Sequence, residues 1–407
     1  MRWCILSFVA LTLAFAAWGC GHDVPLSSQT LNPAGSAAVL ARGPAGLTTA
    51  DGTARHWEGV LGPGAHYVID VPANWNGELV VWIHGYTFPQ QPVTPPTVGL
   101  SPFLLSQGFA VAASSFSENG YAVAEAIRQT HQLSGLFADL CGQPQRTYLI
   151  GASLGGIIGL RLVEKYPQQY DGALLACGVV GGSRAEIQYV GDIRVMFDYF
   201  FPGCIPGELF SRPEGVSFET EVVPAFLAKL GTAEGQQKFQ AFLACAREKG
   251  LRFNSINEAV QGTLQVLGYT WYGGQDFIAR THDHVPYDND DVVYTCPGLP
   301  QQIVDGLNAG VRRYSSTRDA EAFLRHYYEP DGDLEIPVIT HHTTRDPLVP
   351  LFHEDLFRSR VQAAGKSNLL LERTRSAFGH CNFQQTDLPL AFLDLVSWVR
   401  TGQKPAA

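Results

Sequence analysis

Arg146-Thr147-Tyr148-Leu149-Ile150-Gly151-Ala152-Ser153-Leu154-Gly155-Gly156-Ile157-Ile158 is the stretch that decides the reading of this chain. It opens on a short run, Arg146 to Ile150, that is rich in apolar strand formers. From Ile157 to Lys165 apolar residues recur at helical spacing, with a positive charge at the end. A G-x-S-x-G match between a strand and a helix is the context of a nucleophile elbow, in which a sharp turn holds the serine in strained backbone. Small residues must flank such a turn, and Gly151 and Gly155 do. The turn lifts the Ser153 hydroxyl to the top of a sheet and aims the Leu154 N–H at the place where an oxyanion forms.

A serine attacks only when a base takes its proton and a third group orients that base. Behind an elbow these partners follow in the order acid, then histidine, each just past a strand. Glu335 to His342 reads as a buried strand running into Thr343-Thr344-Arg345-Asp346-Pro347, so Asp346 is the expected acid. Asp331 and Asp333 precede that strand, and Glu354 lies further on in a predicted helix. Asn368 to Arg373 reads as the next strand, followed by Ser376-Ala377-Phe378-Gly379-His380-Cys381, which makes His380 the expected base. The competing His341 and His342 sit at a strand end beside the acid and are read as lining or supporting the site. His353 is the third competitor. A second oxyanion donor is expected after an early strand. Gly77 to Thr87 ends in His84-Gly85-Tyr86, so the Tyr86 N–H fills that part and His84 reads as scaffold.

With these parts in order, the chain resembles an α/β-hydrolase over residues 56–182 and 334–402. The resemblance implies an α/β fold with a mostly parallel sheet, helices on both faces, a Ser153–His380–Asp346 triad and acyl-enzyme chemistry without a cofactor. Secreted esterases of the tannase and feruloyl esterase type are a similar branch, sharing a large lid and a Cys directly after the catalytic His, as in His380-Cys381. In that branch a Cys also precedes the serine. Here Ala152 stands in that place, so the disulfide tying serine to histidine cannot form in that way.

Between the expected strand at 172–180 and the one at 335 lies a domain's length of chain, where a doubly wound sheet needs only a short crossover. Residues 183–333 are therefore expected to form a helical cap, with helices at 218–230, 233–249, 256–267, 299–313 and 317–328. Aromatics are dense in it, which points to an ester substrate, small or polymeric, with an apolar or aromatic part. Thr281 to Asp291 is rich in oxygen ligands, yet it lacks the glycine and terminal Glu of a calcium loop and reads as a solvated loop. No Cys or His spacing suits zinc, so no metal is expected.

The net charge is −10 and no basic run occurs, which argues against nucleic acid as a partner. Residues 1–20 read as a signal peptide, and Ala17-Trp18-Gly19-Cys20 is similar to a lipobox, in which Cys20 would carry a lipid and attach the protein to a membrane. Residues 21–55 read as a flexible tether. The chain is thus expected to be exported, as a periplasmic or outer-membrane lipoprotein or as a secreted protein. Beyond Cys4 and Cys20, six cysteines remain, Cys141, Cys177, Cys204, Cys245, Cys296 and Cys381, an even number that favours disulfides in an exported chain. If any stays free, Cys177 in its apolar strand is expected to be the one.

Three functions fit these features. The first is an exported serine esterase (EC 3.1.1), and the second a serine peptidase or amidase with the same triad. The third is a binding protein that kept the fold without its chemistry.

Overall fold

The computed structural model describes residues 53–406. The expected signal peptide, the lipobox Cys20 and nearly all of the tether lie outside the described residues. Eight strands form one sheet: β1 (Arg55–Leu61), β2 (Ala65–Val71), β3 (Glu78–Ile83), β4 (Ala110–Ser114), β5 (Arg146–Ala152), β6 (Gly172–Ala176), β7 (Val338–Arg345) and β8 (Leu370–Phe378). Their order across the sheet is β1-β2-β4-β3-β5-β6-β7-β8. The β1–β2 and β2–β4 pairs are antiparallel, and every pair from β4 to β8 is parallel.

Parallel strands need crossovers, and helices supply them on both faces. Alternation along each strand sends side chains to the two faces in turn. Leu79, Val81, Leu149 and Leu175 pack with α2 (Val123–Cys141) and α3 (Leu154–Lys165) on one face. Val80, Tyr148, Ile150, Leu174 and Ile339 pack on the other face with α1 (Ser101–Ser106) and α11 (Asp387–Thr401). This two-sided burial explains why the central strands read as unbroken apolar runs.

Between β6 and β7 the chain forms α4 (Ser183–Phe200), a short π-helical turn (Phe218–Val222), α5 (Val223–Leu230), α6 (Ala233–Glu248), α7 (Ile256–Arg280), α8 (Gln301–Gly310) and α9 (Arg318–Tyr328). After β7 comes α10 (Phe352–Ala363). Sequence signals mark several starts, since Thr232, Ser255 and Thr317 each cap a helix through a side-chain oxygen. At α7 the Ser255-x-x-Glu258 pattern works from both ends. The Glu258 N–H donates to Ser255 Oγ at 3.1 Å, and the Asn254 N–H donates to the Glu258 carboxylate at 2.7 Å.

Two helices depart most from the sequence reading. Helix α7 runs on to Arg280, because its second half buries Trp271 and Phe277 in the insertion and three glycines within it admit close neighbours. Helix α4 was not legible as a unit: nearly all of its faces are buried, so it lacks the one-sided pattern that announces a surface helix.

Oxygen-rich 281–291 turns its polar groups onto the chain itself. Asn289 is buried and bonds the Tyr294 hydroxyl, the Arg312 carbonyl and the Tyr314 N–H at 2.7–3.0 Å. Asp288 accepts from the Ser316 N–H at 2.9 Å, and Asp290 pairs with Ser315.

Candidate active site

Strand β5 ends at Ala152 and α3 begins at Leu154, which leaves Ser153 alone at the turn with φ of 57°. A non-glycine residue in this region is strained, and the surrounding packing must hold it there. Gly155 shows how tight that packing is. A Cβ at this position would lie 2.2 Å from the Ile83 carbonyl oxygen at the end of β3. At Gly151 a Cβ would lie 2.2 Å from the Gly155 carbonyl oxygen. Both flanking glycines are therefore required by contact with backbone, which cannot move aside.

Ser153, Asp346 and His380 come together at this turn. Ser153 Oγ lies 2.7 Å from His380 Nε2, and His380 Nδ1 lies 2.7 Å from Asp346 Oδ2. Asp346 Oδ1 accepts two more bonds, from the Leu348 N–H at 2.9 Å and the Val349 N–H at 3.0 Å. Burial pushes the Asp346 carboxyl up. The charge and hydrogen bond of His380, then His342 and the Val349 N–H, outweigh that and hold it below the ordinary carboxylate range.

The Leu154 N–H opens α3 beside Ser153, where the helix offers an unpaired donor and the positive end of its dipole. Tyr86 follows β3, the strand against which Gly155 packs. Among the described residues neither N–H has a hydrogen-bond acceptor. His84 takes the scaffold part expected of it: its ring stacks on Phe116 at 4.1 Å, and Nδ1 lies 2.8 Å from the Gly85 carbonyl.

The cysteines require a correction. Cys177, expected to be the free thiol, forms a disulfide with Cys381, the residue after the base. Strand β6 stops at Ala176, so Cys177 stands at the top of the sheet, next to β5 and the elbow, instead of inside a buried strand. The absence of a cysteine at 152 thus does not leave the His380 loop untethered, for it is tied to the neighbouring strand. Cys245 pairs with Cys296 within the insertion, and among the described residues Cys141 and Cys204 carry the free thiols.

Helix α7 runs from the acid side of the site to the oxyanion side. Its Glu258 pairs with Arg345 at 3.2 Å, and Gly262 faces Pro347. Further along, Tyr269 meets the Tyr86 ring edge-on at 5.2 Å, and Asp276 accepts the Tyr121 N–H at 2.6 Å.

The sequence places His342 beside the acid as a lining or supporting residue; its partners come only from the structure. His342 is fully buried between the Glu354 carboxylate, 2.9 Å from Nδ1, and the Val349 carbonyl, 2.8 Å from Nε2. Thr340 Oγ1 donates to the other oxygen of Glu354 at 2.6 Å. His353, also fully buried, accepts the Gly181 N–H at Nδ1 and faces Glu186 at 3.0 Å through Nε2. Thr340 and His342 lie on the β7 face opposite His341, and Glu354 is in the first turn of α10.

No family model matches the chain, and no curated protein sequence does. Solved structures share its general shape. A feruloyl esterase B from Aspergillus oryzae is 13% identical, with 86% of this chain and 80% of that chain covered and a TM-score of 0.49. An esterase from the same organism is 15% identical, with 84% and 78% covered and a TM-score of 0.46. An acylaminoacyl peptidase from Pyrococcus horikoshii is 10% identical, with 87% of this chain and 42% of that chain covered and a TM-score of 0.42. Likeness this distant carries no argument about the reaction, and esterases and a peptidase stand side by side in it. The strand order, the parallel crossovers and the elbow of this chain are decisive by themselves: it has the α/β-hydrolase fold.

Proposed function

We propose that this protein is a serine hydrolase that cleaves carboxylic esters through an acyl-enzyme on Ser153. The observation that carries the reading is the unbroken chain Ser153 Oγ–His380–Asp346, with both hydrogen bonds at 2.7 Å and the serine in strained elbow backbone. In this reading His380 Nε2 removes the hydroxyl proton as Ser153 Oγ attacks the acyl carbon. Asp346 fixes the tautomer, with the proton on Nδ1, and stabilises the imidazolium. The Leu154 and Tyr86 N–H groups receive the negative charge of the tetrahedral oxygen. His380 then gives its proton to the departing alcohol and activates water for deacylation. Every group needed is in the chain, and no step calls on a metal or cofactor.

The aromatic lining of α7 over the oxyanion loop supports an ester with an apolar or aromatic part, held under a helical cap. Two disulfides accord with an exported protein. Among the described residues no helix is long and apolar enough to cross a membrane.

The test is turnover of aryl esters of increasing acyl length beside matched aminoacyl and peptidyl anilides, with Ser153→Ala as the blank. Ester turnover with silent anilides is expected, and the Ser153→Ala variant should lose about 10⁴-fold or more while staying folded. Comparable anilide turnover would assign the site to a peptidase. A fully active Ser153→Ala protein would end the acyl-enzyme reading.

A further inference from the structure

We propose that the buried His342–Glu354 pair is a positioning device for the triad: it sets a positively charged imidazole against Asp346, and so keeps His380 available as a base at lower pH. This rests on the reading of Ser153, His380 and Asp346 as the catalytic triad.

The protonation state follows from the partners. The Val349 carbonyl can only accept, so Nε2 of His342 carries a hydrogen. At Nδ1 the ring faces a carboxylate oxygen of Glu354, and one proton lies between them. Two features place that proton on the ring. Thr340 Oγ1 donates to Glu354 Oε2, which favours the ionised carboxylate. Glu354 also sits in the first turn of α10, where the helix dipole favours negative charge. His342 is therefore an imidazolium. Burial alone would lower its pKa, but the hydrogen bond and charge of Glu354, with the charge of Asp346, raise it instead.

Asp346 is held between two imidazoles. Its Oδ2 is 2.7 Å from His380 Nδ1 and 3.9 Å from His342 Nε2. A positive charge at that distance in a buried site opposes a second positive charge on His380. The pair also ties β7 to α10 directly behind the loop that carries the acid. The other titratable groups around His342 are Glu186 on α4, His353 on α10 and His341 on β7. Glu186 and His353 bond each other, so Glu354 is left as the partner of His342.

The experiment compares wild type, Glu354→Gln and Glu354→Asp. It reads the pH profile of kcat/KM on an aryl ester, the side-chain ¹⁵N shifts of His342 and the melting temperature. Glutamine keeps the shape and a hydrogen bond at Nδ1 but removes the charge, so His342 becomes neutral. Loss of that positive charge favours protonated His380, and the acidic limb of the profile should move up by about one pH unit. Aspartate should return the limb most of the way towards wild type. Should Glu354→Gln not fold, Thr340→Val removes only the hydroxyl donor, and a smaller upward move is expected. The proposal is overturned if wild-type His342 shows neutral-ring shifts at pH 7. It is equally overturned if the melting temperature falls while the acidic limb stays in place. Turnover that survives Ser153→Ala would instead strike the catalytic reading, and the ¹⁵N shifts would still report on the pair.

Discussion

Ser153 is fixed by its neighbours in sequence, whereas His380 is fixed by residues far from it. On the serine side, Gly151 and Gly155 let the elbow pack backbone against backbone, and the strained φ at Ser153 follows from that contact. On the histidine side, the loop hangs from a disulfide to Cys177 across a separation of 204 residues and from the bond to Asp346. Steric exclusion positions the nucleophile, and covalent and ionic ties position the base. A motif search finds the first arrangement easily because all its parts lie within six residues. The second has no local signature.

The sharpest challenge to this contrast is Gly155→Ala. The added carbon meets the Ile83 carbonyl, so β3 and α3 must part, taking the Leu154 and Tyr86 N–H groups with them. Activity should fall more than about 100-fold, and stability by about 3 kcal/mol, measured by ester assay and denaturant unfolding.

On the other side, Cys381→Ala should lower kcat by about tenfold and stability by about 3 kcal/mol. Its control is Cys296→Ala, which opens the Cys245–Cys296 bond in the insertion. There a comparable loss of stability is expected, with kcat on a small aryl ester within about twofold of wild type. Equal loss of kcat in both variants would show that His380 depends on global stability and not on its tether.

The insertion has its own polar anchor, the buried Asp192. It accepts from the Tyr287 and Tyr294 hydroxyls at 2.7 and 2.9 Å, and its other oxygen pairs with Lys249 at 2.9 Å. Asp192→Asn leaves the Lys249 charge uncompensated and should cost about 2 kcal/mol in unfolding experiments while leaving kcat close to wild type.

The last effect is one of pH and is absent at neutrality. Burial, with the charge of His342, holds the His353 pKa down to about 3, so the folded protein keeps this ring neutral. The unfolded chain takes up a proton near pH 6.5, and stability should therefore fall as the pH drops from about 6.5 towards 3. The slope from this group is about 1.4 kcal/mol per pH unit, and it should vanish in His353→Gln when melting is followed against pH.

Much of the site was legible beforehand. Ser153, Asp346 and His380 were named because each follows a strand with a plain apolar pattern, and loop chemistry marks what comes after a strand. The pairing of Cys177 was not legible, because a strand's last residue cannot be told from its interior when both are apolar. His342 was read as lining or supporting the site and Glu354 as a rival acid, but their pairing was hidden, since it forms only once β7 and α10 are in place.

The sequence alone determined which residues meet at the elbow and in what order acid and base follow, because backbone sterics and two-residue periodicity act within a few residues. Only the tertiary structure decided what stands behind the acid, what tethers the base and how α7 spans the site. The disulfide and the α7 contacts join residues far apart in the chain, the groups behind the acid join separate elements, and their energies arise from burial and charge that exist only once the sheet has brought them together.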